Sequence, residues 1–373
     1  MGTGKVIRVL HVLDQLSVSS GASNVVMGYS RNINKFAIDV VVHKPSDKVL
    51  IEEIESRGGK VHQLPDITIP TASQYRKGFS KILDSHNYEI IHGHMPSVAF
   101  LFLKEARRKN VPHRIIHAHS CGTESHLKRA RNRVLESLIP LYANHYYACS
   151  TASADYIYRR KTRGKVKILP NAIEPKHFRY SQEVRETTRK LLGIKTNELC
   201  IGHVGRFAPI KNHLFLLKAF SELLRSIPES RLVMVGGGPL LDKVALYAQD
   251  LGIGQRVIVL GEQAEIYNFY QAFDQFWLPS FFEGWCLAAL EAQCSGLPCI
   301  LSKAVPEAVN VTEGQVHYLE LDSPTKWAEK SISLCGHLRR DGTQAIYKHN
   351  LDIKSQISIL ERLYESMGKE RGM

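Results

Sequence analysis

Two glutamates eight positions apart, Glu283 and Glu291, stand in the run 278–293, Leu-Pro-Ser-Phe-Phe-Glu-Gly-Trp-Cys-Leu-Ala-Ala-Leu-Glu-Ala-Gln. The first follows an apolar run that reads as a strand, 275–279, and the second lies inside a run that reads as a helix, 286–294. On one straight helix the two acids would lie about 80° apart. With Glu283 in the turn, one carboxylate reaches ahead of the helix N-terminus while the other stays beside it. That N-terminus offers free N–H groups and the positive end of the helix dipole, a seat for phosphate. Carboxylates do not ligate phosphate; they suit hydroxyl groups, as on a ribose or another sugar. The plainer alternative is a buried helix carrying two incidental acids.

Phosphate ligands are available upstream. A strand at 199–204 runs into Gly205-Arg206-Phe207-Ala208-Pro209-Ile210-Lys211-Asn212. Glycine permits a sharp turn at the strand end. Arg206 and Lys211 in that turn can converge on one diphosphate, the first as a fork and the second as a point charge. Either taken singly would be an ordinary surface charge. A second strand ends in Gly236-Gly237-Gly238-Pro239, without the G-x-G-x-x-G spacing of a dinucleotide site and without an acid at the offset expected for an adenosine ribose. It reads as close-packed turn chemistry that lets a nucleotide approach.

The elements that would position these residues follow a βαβ rhythm. In the front half, apolar strands are expected at 6–13, 38–43, 61–64, 90–93, 114–118 and 146–149, with helices at 21–32 and 48–57. After a polar passage, 175–188, the pattern restarts with strands at 199–204, 231–235, 257–260, 275–278 and 298–302 and helices at 213–226 and 240–251. The reading is α/β: two doubly wound Rossmann-like domains facing a central cleft, each a parallel sheet covered on both faces. Ligands of such sheets bind at the carboxyl ends of the strands, which places the expected site in the cleft. Residues 352–367 carry Ile353, Ile357, Leu360 and Tyr364 at helical spacing, one buried stripe.

A chain of 373 residues accommodates two domains. No run of 18 apolar residues is present, and the first fourteen residues read as a strand, with no signal-peptide core. Seven scattered cysteines without a C-x-x-C pair point to a reducing, cytoplasmic compartment. Charge is uneven: residues 1–175 hold 26 Lys+Arg against 14 Asp+Glu, and the remainder holds 23 against 22. The basic surplus of the front half suits an anionic substrate, an anionic membrane or nucleic acid, or is a solvated face without a partner. Over 124–140, Leu127, Ala130, Val134 and Leu138 recur at helical spacing while Lys128, Arg129, Arg131 and Arg133 fill the other faces, a helix suited to an anionic bilayer.

In order and spacing, Gly205-Arg206…Lys211-Asn212, Gly236-Gly237-Gly238-Pro239 and Pro279-Ser280…Glu283-Gly284…Leu290-Glu291-Ala292 resemble the retaining nucleotide-sugar glycosyltransferases of family GT4, which have the GT-B fold. The resemblance extends over essentially the whole chain. Ile90-Ile91-His92-Gly93-His94 is similar to the family's D-I-V-H-x-H strand, Ile168-Leu169-Pro170-Asn171 to its linker entry, and the last helix to its crossover helix. It implies an N-terminal acceptor domain, 1–175 with a crossover helix at about 352–373, and a C-terminal donor domain, 176–351.

It also implies roles. Arg206 and Lys211 would hold the donor diphosphate, Glu291 the ribose hydroxyls and Glu283 those of the transferred sugar. The backbone of Trp285, Cys286 and Leu287, next to Gly284, would meet sugar and phosphate. Gly236 and Gln263 would line the donor site, Gln263 in the base-contacting loop. His119, in His117-Ala118-His119-Ser120, would lie near the reacting centre with Glu283, Arg206 and Lys211. His117 shares a face with it but stands further from the strand end. The family's front loop, Gly-Gly-x-Glu, is replaced by Ser20-Gly21-Ala22-Ser23-Asn24, so Gly21 and Asn24 stand on the acceptor side, and Ala172 replaces the usual glycine after Asn171.

The expected activity is metal-independent, since no D-x-D occurs to hold a divalent ion. No cofactor beyond the nucleotide-sugar substrate is expected, a UDP-sugar being slightly favoured. The acceptor would be a saccharide or a polyprenyl-diphosphate-linked saccharide of capsule or exopolysaccharide assembly, met at the inner face of a bacterial membrane, with no nucleic-acid partner. A retaining glycosidase leaves the phosphate-site residues without purpose. A sugar-nucleotide 2-epimerase of related fold would need acid/base residues at the donor's C2. A basic membrane- or nucleic-acid-binding module rests on charge alone.

Overall fold

The structure is a computed structural model and describes residues 7–369 except 19, 69 and 123–125. The chain forms two compact units, Met1–Asn171 with Ile353–Met373, and Ala172–Asp352. Residues 172–175 therefore pack in the second unit, where Ile173 bridges Asp352 and Ser295 Oγ donates to Phe178 O.

Unit 1 is built on seven parallel strands: β1 (Ile7–Val12), β2 (Phe36–Val42), β3 (Val61–Gln63), β4 (Ile90–Gly93), β5 (His113–Ala118), β6 (His145–Ala148) and β7 (Lys167–Ile168), in the order β3-β2-β1-β4-β5-β6-β7. Their apolar residues pack against helices rather than water, and Leu10, Val12, Val41, Ile91 and Ile116 share one core with Phe79, Phe102 and Leu103. Helix Gly21–Asn32 starts at Ser20, whose side chain accepts from Ser23 N. The last helix, Ile353–Lys369, joins this unit and buries Ile353, Ile357, Leu360 and Tyr364 as the spacing predicts.

Unit 2 repeats the plan with β8 (Cys200–Val204), β9 (Arg231–Val235), β10 (Val257–Val259), β11 (Gln275–Leu278), β12 (Cys299–Ser302) and β13 (Val316–Leu319), all parallel, in the order β10-β9-β8-β11-β12-β13. Its core joins Ile201, Leu217, Phe220, Met234, Trp277 and Trp327. Strand order reverses between β1 and β4 in unit 1 and between β8 and β11 in unit 2. Those two positions are where doubly wound sheets open a crevice at their carboxyl ends.

Two expectations change. The polar passage 175–188 is largely helical, Pro175–Phe178 followed by Gln182–Leu191, the second capped by Ser181 accepting from Val184 N. Strands β7 and β13 had no sequence signal: one has two exposed residues and the other four half-buried ones, too little alternation to register. The amphipathic helix expected over 124–140 is His126–Glu136, then Ile139–Tyr142; Glu124 lies outside the described residues.

Candidate functional site

The loop after β8 and the turn after β11 meet at the reversal point of unit 2. Lys211 Nζ lies 2.6 Å from Glu283 Oε1, and Ser280 Oγ donates to the same oxygen at 2.6 Å. Lys211 and Glu283, assigned to diphosphate and sugar separately in the sequence, are thus one ion pair. Burial alone pulls the Lys211 pKa down, but Glu283, with Cys286 and Glu291 further out, more than offsets this and holds it above the ordinary lysine value. Behind Lys211, His203 and His213 are buried, and burial lowers both, His203 to about 4, so neither adds a competing positive charge at neutral pH. Arg206 is exposed, and its side chain takes part in none of the hydrogen bonds or ion pairs among the described residues, so its fork can turn to an anion.

Glycines bring these loops together. A Cβ on Gly236, whose φ is +139°, would lie 2.2 Å from Gly205 O, and one on Gly238, φ +142°, would lie 2.6 Å from Phe207 O. Phe207 N donates to Gly237 O at 2.7 Å and Leu240 N to Phe207 O at 3.0 Å. The Gly-Gly-Gly run therefore exists for backbone-on-backbone contact with the loop that carries Arg206 and Lys211. Gln263 is half-buried and donates to Leu260 O at 2.8 Å, which leaves its amide oxygen for another partner.

Glu283 lies in the turn and Glu291 inside helix Leu287–Cys294, the split that the spacing suggested. Gly284, Trp285 and Cys286 are buried between them, and Cys286 occupies the N-cap position without a side-chain capping bond. Burial pushes the Cys286 thiol up to about 12, so it stays neutral. Glu291 accepts from Tyr270 Oη at 2.7 Å. Burial, opposed by that hydroxyl and by the Lys211 charge, pushes its carboxyl up to about 7. Tyr270 was invisible to sequence reasoning; it belongs to helix Ile266–Ala272, which the strand-and-motif pattern passed over.

The carbonyls ending that helix point at cations. Arg185 donates to Gln271 O, Ala272 O and Phe273 O and pairs with Asp274; Arg189 donates to Ala272 O and Asp274; Arg339 donates to Tyr270 O, Gln271 O and Phe273 O. Cations at a helix C-terminus satisfy its orphan carbonyls and its dipole. The helix Gln182–Leu191, which begins inside the polar passage 175–188, supplies Arg185 and Arg189.

In unit 1, Gly21 is the first residue of its helix and a Cβ there would meet nothing, so glycine is not sterically required. Asn24 is exposed on the first turn and donates to Val18 O at 3.2 Å. His119 follows β5 and has company the sequence did not foretell. His11 on β1, His92 and His94 at the end of β4, and His117 and His119 at the end of β5 form one layer at the carboxyl ends beside the reversal point. Burial lowers all five; His119 falls to about 4, with the Asn171 side chain opposing the shift. Three ring nitrogens come within 4.8 Å of one another in each of two groups, His11/His92/His94 and His94/His117/His119. No metal was expected from the sequence, yet these sets have the donor type for one. The signal was there as two His-x-His pairs, whose alternate residues share a strand face.

The family and structural relatives agree with this architecture. Residues 19–177 match the family described as Glycosyltransferase Family 4, and residues 184–335 that described as Glycosyl transferases group 1. The chain is 30% identical over 331 residues, 86% of each chain, to a putative glycosyltransferase EpsF of Bacillus subtilis. It is 31% identical over 234 residues, 60% of this chain and 59% of the other, to the UDP-Gal:alpha-D-GlcNAc-diphosphoundecaprenol alpha-1,3-galactosyltransferase of Escherichia coli. Its fold is that of Anabaena Alr3699/HepE, solved with UDP and glucose, at a TM-score of 0.81 with 18% identity, covering 96% of this chain and all of that one. The chain belongs to the family 4 glycosyltransferases, with the α/β GT-B fold. Sugar transfer in polysaccharide biosynthesis is the class of activity that this membership defines.

Proposed function

We propose that the chain transfers a sugar from a nucleoside-diphosphate sugar, a UDP-sugar in the first instance, to a saccharide acceptor carried on a polyprenyl diphosphate, with retention of anomeric configuration. The observation that carries this reading is the Lys211–Glu283–Ser280 cluster at the strand reversal of unit 2, next to a helix N-terminus and Glu291. In it, Arg206 and Lys211 neutralise the leaving diphosphate, as preorganised cations do best in a water-poor site. As the diphosphate draws on Lys211, Glu283 turns to the hydroxyls of the transferred sugar. Glu291 takes the ribose hydroxyls, and the family resemblance gives His119 of unit 1 a role near the reacting centre and Gly21 and Asn24 a role toward the acceptor. With no D-x-D in the sequence, these cations replace a divalent ion, and transfer proceeds in EDTA.

A relative whose name specifies a diphosphoundecaprenol-linked acceptor supports the lipid-linked acceptor, and a neighbour solved with UDP-glucose supports the UDP-sugar donor. Helix His126–Glu136 supports work at a cytoplasmic membrane face: Leu127 and Val134 are 85% and 64% exposed beside exposed Lys128, Arg131 and Arg133. Arg129 is withdrawn from that role. It pairs with Glu136 at 2.8 Å and stacks over Tyr156 at 3.8 Å. The reading is tested by supplying UDP-glucose or UDP-galactose with a polyprenyl-diphosphate saccharide and assigning the new linkage by NMR. An axial donor bond must give an axial product bond; an inverted product overturns the reading.

A further inference from the structure

Ser280, just after β11, is fully buried and held from two sides. Its carbonyl oxygen accepts from Ser302 Oγ at 2.5 Å, at the end of the neighbouring strand β12. On its other side, Phe281 N donates to Ile210 O at 2.8 Å, which ties the turn after β11 to the loop after β8 directly beside Lys211. From this fixed backbone the Ser280 hydroxyl donates to Glu283 Oε1 at 2.6 Å.

Glu283 stands in a turn ahead of helix Leu287–Cys294, so its direction depends on what its carboxylate meets rather than on a helical backbone. Lys211 Nζ and Ser280 Oγ donate to the same oxygen, Oε1, each at 2.6 Å. A hydroxyl at 2.6 Å has the length of a bond to an ionised carboxylate. Such a group accepts at about four positions, two on each oxygen. Two donors on Oε1 fix the rotation of the carboxylate and make Oε2 the oxygen presented to a further donor. The two bonds differ in one respect. Lys211 has three N–H groups and a second task, the diphosphate, and an ammonium drawn toward phosphate loosens a carboxylate tied to it alone. A serine hydroxyl has one proton, and that proton is spent on Glu283. A buried carboxylate whose cation turns away is costly unless another donor stays on it.

We infer that Ser280 is a positioning residue: it holds Oε1 of Glu283 while Lys211 serves the diphosphate, and so keeps Oε2 for a hydroxyl of the transferred sugar. The inference rests on the placing of Lys211 and Glu283 under Proposed function and adds the residue that lets the diphosphate and sugar contacts be made independently.

The test separates nucleotide from sugar. Melting-temperature shifts with UDP, UDP-glucose, UDP-galactose and UDP-N-acetylglucosamine are measured for wild type, Ser280→Ala and Ser280→Thr. Turnover is then followed as UDP release from the donor whose sugar adds most to the UDP shift. Ser280→Ala keeps the UDP shift, which also shows that it folds. It loses the sugar's added shift and turns over about 10–100-fold more slowly, the scale for losing a group that orients a site residue. Ser280→Thr keeps the hydroxyl and recovers most of both. With 3-deoxy and 4-deoxy forms of the donor, Ser280→Ala costs little further on the one that lacks the hydroxyl met by Glu283, because the bond it supports is already gone. Wild-type turnover by Ser280→Ala overturns the proposal, and so does an equal loss on the parent and both deoxy donors. A UDP shift that falls as far as the sugar's shift marks a merely structural serine and overturns it too, as does a Ser280→Thr that binds UDP normally yet stays as slow as Ser280→Ala. If UDP leaves the wild-type melting temperature unmoved, or no sugar adds to its shift, the reading of the site itself fails, and the inference falls with it.

Discussion

Lys211 and Glu283 form a pair whose members are each unfavourable alone. Removing one partner of a buried pair typically costs about 3–5 kcal/mol, because the other charge is left uncompensated, whereas neutralising both is far milder. Glu283→Gln should therefore lower the denaturation midpoint markedly, and Lys211→Met/Glu283→Gln should recover most of it. A double-mutant cycle by urea melts reads this directly, and additive losses would show that the 2.6 Å contact carries no coupling. Glu291 predicts a pH effect of opposite character. Its pKa stands at about 7 in the fold against 4.5 for the free side chain. The folded state then binds more protons between those values, so stability falls as pH rises from 4.5 to 7. The penalty at pH 8 is about 3 kcal/mol at 1.36 kcal/mol per unit. Glu291→Gln keeps an acceptor for Tyr270, so it should match wild type at pH 5 and be more stable at pH 8, with weaker nucleotide binding as the functional cost. Melting curves at the two pH values decide, and equal stability at pH 8 would contradict the raised pKa.

At the scale of elements, Glu291 depends on Tyr270, and Tyr270 depends on the arginines that hold its helix end. Arg189 is 4% exposed and also donates to Lys195 O and Glu198 O. Arg189→Leu should lower the calorimetric transition of unit 2 by about 3 kcal/mol, since several buried acceptors lose their donor at once. Little change would mean that Arg185 and Arg339 suffice. The helix that carries Arg189 has no signal in the sequence, where its first residues read only as a polar passage, 175–188. Strands such as Arg231–Val235 and helices such as His213–Ser226 were legible because a short continuous apolar run and the 3.6 period expose them. Helix Gln182–Leu191 buries arginine rather than leucine, so its inward face looks like a solvated one. The Glu283/Glu291 split between turn and helix could be read from a strand-like run followed by a helix-like one. The Lys211–Glu283 contact, 72 residues apart in sequence, could not, because it depends on β8 and β11 being neighbours. The histidine layer has the same origin: it assembles only when the register sets His11 beside His92.

For the whole molecule, the two sheets each place chemistry at the strand reversal, and the basic surplus falls in the first of them. No helix among the described residues is long and apolar enough to cross a membrane. Under the proposed membrane role, Lys128, Arg131 and Arg133 would contribute about 1 kcal/mol each near anionic lipid. Changing these three to Ser should reduce co-sedimentation with phosphatidylglycerol vesicles at low salt and leave binding to neutral vesicles unchanged. Equal sedimentation of variant and wild type would remove the helix from that role. The central claim, that the loop after β8 receives a nucleoside diphosphate, is tested most directly by the melting temperature with and without UDP, GDP and ADP, in wild type, Arg206→Ala and Lys211→Ala. At a hundred times its dissociation constant the right nucleotide stabilises by about 2.7 kcal/mol, roughly 5–10 °C for a unit of this size. The account predicts that shift for one base in wild type and its loss in both variants. No shift with any of the three nucleotides, or an undiminished shift in both variants, would contradict it.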